Sequence, residues 1–179
     1  MSLKLIILAA FFVPLAAFAH DSRVTRAVAI EAAGDHLEVL VSLRIPAGPQ
    51  REMILAGIDV RHDGLDASET RALEKALATR ALNGLALMVG TATVTLQGAD
   101  LKMRFLPSAK EPIDLVILGR APLSSASLSL AVKVGDGVDL SVLAGTRAVV
   151  KVSRGTIARG GVKTVLGAPD RVSWELHAH

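Results

Sequence analysis

The chain has 179 residues, with 20 Lys and Arg against 17 Asp and Glu, and no Cys. The lack of cysteine excludes a disulfide framework, thiol catalysis and a lipid-modified N-terminal cysteine, and a formal net charge of +3 is too small for a nucleic-acid footprint. Aromatic residues make up 3 % and Tyr is absent, which leaves little to stack on sugars or bases.

The first segment carries one charge at Lys4, an apolar run from Leu5 to Ala16, and then Ala17-Phe18-Ala19, whose small residues suit a signal peptidase. An apolar stretch of about 15 residues is short for a membrane span of roughly 20, and Pro14 interrupts it. Residues 1–19 are therefore expected to be a cleaved signal peptide, with His20 as the mature N-terminus and a periplasmic or secreted location. Loss of Lys4 leaves 19 basic against 17 acidic side chains, a net charge of about +2. Residues 20–179 are enough for one domain with its own hydrophobic core, and no later apolar run approaches the 18 residues of a spanning helix, so no transmembrane segment is expected after cleavage.

Strand character runs over 24–30 and 37–45, with Leu37, Val39, Val41, Leu43 and Ile45 alternating with mainly polar residues, and Gly34-Asp35 forms the turn between them. Pro46-Ala47-Gly48-Pro49 breaks the sheet, and Pro49 opens a short helix through Ile58. A second helix is predicted over 67–83: Asp66 and Glu69 have the spacing of a capping box, and Gly84 is placed to end it. Its core face is Leu73, Ala76, Leu77 and Ala81, with Glu69, Glu74, Lys75 and Arg80 toward water. Further strands are expected at 85–89, 92–97, 101–106, 113–119, 126–134, 147–153 and 171–177, making nine in all, with a loop over 154–161. In the run at 128–134, Leu128, Leu130, Val132 and Val134 form the core face. Short strands without a repeated βα unit predict a mainly β fold: an antiparallel, Ig-like β-sandwich with an α-helical insertion at about 49–83.

Two constellations carry metal chemistry. The turn from Asp59 to Glu69 has the shape of a calcium loop, with Asp59 as first ligand, Asp63-Gly64 at the sharp turn and Glu69 as closing acid. Arg61 stands where a third ligand belongs, and the loop is one residue short, so a capped connector between helices is the favoured reading and calcium the disfavoured one. At the chain ends, His20 would offer an α-amine and an imidazole, and in a strand His177 and His179 share one face. Together they form a candidate site for copper, nickel or zinc, set against the plainer reading of solvent-facing terminal histidines. His36 and His62 have weaker claims. No nucleophile elbow, phosphate loop or dinucleotide motif occurs, so a hydrolase assembled from loops is the alternative that lacks a motif.

The order of His20 at the cleavage junction, two strands before Pro46, the Asp59–Glu69 turn, the helix to Asn83 and a following hairpin resembles the soluble exported N-terminal region of the HupE/UreJ family of hydrogenase and urease accessory membrane proteins. The similarity spans about residues 20–153 and implies an association with nickel or other transition-metal handling. Members continue into transmembrane helices that the sequence to His179 does not contain, so a transport role is not carried over. The expectation is an exported, non-catalytic binding or accessory module whose partner is another protein or a membrane complex.

Overall fold

The computed structural model describes residues 23–60, 64–142, 148–152, 155–157 and 163–176. Alternation of apolar and polar residues builds two six-stranded sheets packed face to face over a shared core. The first holds β1 (Thr25–Ala33), β2 (His36–Ile45), β5 (Gln97–Arg104), β6 (Ile113–Pro122), β8 (Val138–Val142) and β11 (Lys163–Leu166), in the order β11-β8-β1-β2-β6-β5. The second holds β3 (Leu85–Val89), β4 (Ala92–Thr93), β7 (Ser127–Val132), β9 (Ala148–Val152), β10 (Gly155–Ile157) and β12 (Arg171–Leu176), in the order β10-β9-β12-β7-β3-β4. The mainly β sandwich with a helical insertion is thus as expected. Neighbours are antiparallel except β1 and β8, which run parallel from Ala27↔Asp139 to Ile30↔Val142.

Inward residues of β2 (Leu37, Val39, Val41, Leu43, Ile45) meet those of β6 (Ile113, Leu115, Ile117) and, from the opposite sheet, Leu128, Leu130, Val172 and Trp174. The insertion, α1 (Pro49–Leu55) and α2 (Ala67–Leu82), leaves from the end of β2 and returns into β3. Apolar residues at helical spacing, Leu73, Leu77 and Ala81, bury one stripe of α2 against β2 and β6. The two ends of the sandwich are therefore distinct. The insertion end gathers Thr25, Arg44, Asp114, Asn83 and Asp136; the hairpin end carries the Gly34-Asp35 turn, Pro122 and Leu176.

The capping box is formed as the spacing predicts. Asp66 Oδ1 accepts the N–H groups of Ser68 and Glu69 at 2.7 and 2.8 Å, and Glu69 Oε2 accepts the N–H of Asp66 at 2.8 Å. Gly84 follows the helix with φ +70°, and a Cβ there would collide with the Val134 carbonyl, so only glycine fits.

Several expectations are corrected. Ala76 is exposed and Ala78 packs partly against the core, because the buried stripe of Leu73, Leu77 and Ala81 repeats at i, i+4 and is flanked on the core side by Ala78 rather than Ala76. Arg80 is not solvent-facing but paired, as described below. Val134 is 54 % exposed, since β7 ends at Val132 where the chain turns through Gly135 at φ +91°. The strand expected at 92–97 is only Ala92–Thr93, and β5 begins at Gln97, with a register shift before Asp100 around Gly98 at φ +57°. Gly155–Ile157 is a strand within the expected loop, and β8 and β11 add pairings that no hairpin signal announces. The short helix stops at Leu55 rather than Ile58.

Candidate functional site

The three terminal histidines, His20, His177 and His179, lie outside the described residues, as do Asp63 and His62. Arg23 lies at the insertion end, ahead of Thr25, whereas Leu176 lies at the hairpin end beside Ala126.

Of the calcium-loop positions, Asp59 and Glu69 are described. Glu69 closes the capping box with its carboxylate, the role the connector reading assigns to it. Among the described residues, no group of three or more His, Asp or Glu is arranged to hold a metal ion.

Sequence reasoning missed the polar chemistry inside the sandwich. Arg26 projects inward from β1 and is 2 % exposed. Its Nη1 donates to the carbonyls of Asn83 at 2.6 Å and Ala81 at 3.3 Å, and Nη2 donates to the carbonyl of Asp136. A cation held on the last carbonyls of α2 complements the helix dipole and satisfies groups the helix leaves open. Burial pushes the guanidinium pKa down, the Asp136 carboxylate raises it, and Arg80 nearby lowers it again. Arg80 Nε donates to Asp136 Oδ2 at 3.0 Å, and its Nη atoms donate to Gln50 Oε1 at 3.2 Å, which joins α1, α2 and the β7–β8 turn. Arg51 of α1 is buried as well, with Nη2 donating to the Leu106 carbonyl at 2.9 Å and the guanidinium 5.4 Å from the Phe105 ring centre. A lone Arg in an apolar strand is the signal that could have found Arg26.

Beside this scaffold, Gly64, Leu65, Thr70, Met103, Phe105 and Pro107 line an open cleft of about 280 Å³ between the start of α2 and the end of β5. None of these six side chains is ionisable. Leu106 next to it is 42 % exposed, and Met53 on α1 is 67 % exposed.

The outer face of the first sheet holds most of the remaining organised charge. Registers across β1, β2, β6 and β5 set outward residues in four rows. At the hairpin end the row is Glu31, Glu38 and Arg120; at the insertion end it is Arg44, Asp114 and Arg104. Between them lie Ala29, Leu40, Leu118 and Asp100, then Ala27, Ser42, Val116 and Lys102. Glu38 is 9 % exposed, 3.7 Å from Arg120 and 3.9 Å from the His36 imidazole, and Arg44 is 3.6 Å from Asp114. These separations exceed hydrogen-bond length, and Glu38 Oε2 and Asp114 Oδ1 are buried without a hydrogen-bond partner. Burial raises the Asp114 pKa against the pull of Arg44 and Arg104; burial and then Glu38 raise that of Glu31.

No family model matches the chain, and no curated protein matches it.

Proposed function

We propose that this protein is an exported, non-catalytic binding or accessory module that engages a partner protein through the cleft beside its helical insertion. The cleft carries this reading. Its lining residues, Gly64, Leu65, Thr70, Met103, Phe105 and Pro107, bring no charge and mostly apolar side chains, although the accessible wall as a whole presents more polar than apolar surface, and its volume of about 280 Å³ falls below the roughly 300–1,000 Å³ of small-molecule pockets. That size suits an apolar anchor side chain of a partner, the type of contact that dominates protein interfaces. The adjoining strand β5 is the last of its sheet, so an extended partner segment has a backbone edge to pair with while its anchor fills the cleft. Met103 and Phe105, at the end of that strand and just past it, join edge and cleft in one surface.

A photoreactive amino acid in place of Thr70 tests this in the producing cell. The expected result is a discrete cross-linked product that disappears when Leu65→Asp is introduced. Absence of any product, or a product indifferent to Leu65→Asp, would refute the reading.

Transition-metal handling, which the HupE/UreJ resemblance implies, is the version of this proposal that uses His20, His177 and His179. Calorimetric titration of copper(II), nickel(II) and zinc(II) separates it: binding lost on replacing all three histidines by Ala supports it, and no binding removes it while leaving partner capture standing.

A further inference from the structure

The four rows on the outer face of the first sheet have a property that none of them has alone. Turned half a revolution about an axis in the plane of the sheet and perpendicular to its strands, the pattern meets its own complement. The midpoint of that operation lies level with Val41 and Ile117, which are paired on β2 and β6. Residues equally far above and below it then face one another across two copies.

On β2 this sets Glu38 opposite Arg44; on β6, Arg120 opposite Asp114; on β5, Asp100 opposite Lys102. Each of three adjacent strands thus opposes a carboxylate to a cation. Leu118 faces Val116 at the centre, both half-buried over Leu40. Glu38 and Asp114, each with one oxygen that makes no hydrogen bond and each already near one cation of its own copy, are two of the three carboxylates set opposite a cation in this arrangement. A two-fold axis along the strands between β2 and β6 would also oppose Glu38 to Arg120 and Arg44 to Asp114, but it would set Asp100 and Lys102 against Ala29 and Ala27 of β1 and leave both charges unmatched, so these two residues distinguish the arrangements.

We propose that the outer face of the first sheet is a self-recognition surface, on which a second copy of this chain docks with its strands reversed to form an isologous dimer. Seven residue levels and four strands give a patch of about 20 by 20 Å, roughly 400 Å² on each copy, below the ~800 Å² per partner of a standard interface. The dimer is therefore weak, held by opposed charges around a small apolar centre, and weakened by salt. It depends neither on export nor on any metal, and it leaves the cleft and the β5 edge open.

Asp100 and Lys102 are exposed, and the test turns on them. Sedimentation velocity on the purified protein as its cell processes it should show reversible dimerisation, reduced by 0.5 M NaCl. Asp100→Lys and Lys102→Asp should each weaken it about 100-fold or more, because each creates two like-charge contacts. An equimolar mixture of those two variants should dimerise again, since every contact across the axis is once more of opposite sign; this recovery also shows that both variants fold. Val116→Arg should abolish association and separates face docking from pairing at the β5 edge. A protein that stays monomeric up to about 500 µM at low salt overturns the proposal. So does a dimer that survives Val116→Arg, or one that the mixture fails to restore.

Discussion

Arg26 and Arg44 sit on paired strands at the same end of the sandwich, one residue step apart in register, and they are used in opposite ways. Arg26 faces inward and donates to three backbone carbonyls at the end of α2 and in the β7–β8 turn. Arg44 faces outward, 3.6 Å from the mostly buried Asp114 carboxylate, with its own side chain still reaching solvent. A guanidinium in the core ties β1 to the end of α2 and to the β7–β8 turn through carbonyls that it satisfies from within. The same group on the sheet face mainly marks a surface for recognition.

The largest test of that contrast is Arg26→Met. It keeps much of the side-chain volume but strands the carbonyls of Ala81, Asn83 and Asp136, and should lower unfolding free energy by about 3–5 kcal/mol in urea titration. Arg44→Met takes the cation from a mostly buried carboxylate that can answer by protonating, and should lower it by about 1–2 kcal/mol, less than Arg26→Met. Equal losses would show that the inward cluster is not the anchor of the insertion.

Gly84→Ala comes next. The added Cβ collides with the Val134 carbonyl in a backbone conformation that favours glycine, so a loss of about 2–4 kcal/mol is expected by the same titration. Asp66→Ala should cost about 1 kcal/mol by removing the cap on α2, with amide exchange rising first at Ser68 and Glu69. Unchanged exchange at those amides would show that the cap contributes little.

The smallest effect is a pH dependence on the outer face. Burial raises the pKa of Asp114 in the folded protein, so the folded state holds this proton more tightly than the unfolded chain. Stability from this group therefore falls as pH rises from the unfolded carboxyl value through the raised folded value, and it recovers on acidification. Relative to Asp114→Asn, the parent should be more stable at pH 4.5 than at pH 7 in paired denaturation curves. The opposite trend would mean that Arg44 and Arg104 outweigh burial.

Much of the scaffold was legible because its signals are local. The alternation at 37–45, the turn at Gly34-Asp35, the capping box at Asp66 and Glu69 and the stop at Gly84 each depend on residues within a few positions of one another. Even β8 was readable: Val138, Leu140 and Val142 alternate with Asp139 and Ser141, and all three are buried. It was missed because only Gly137 separates it from the Val134–Asp136 turn, a segment that reads as loop. The cleft was less accessible, for its walls come from the start of α2 and from β5, which are far apart in sequence.

By itself the sequence determined which residues alternate, where helices start and stop, and that apolar strands must pack around a short helical insertion, since these follow from periodicity and capping chemistry. Tertiary structure alone decided that β1 lies parallel to β8, that Arg26 meets the end of α2 across 55 to 57 residues, and that rows of charge on β2, β6 and β5 fall into register. The physical reason is one of range. Torsional preference and capping act between neighbours along the chain, whereas strand partnership and the burial of a charge depend on what the rest of the chain brings alongside.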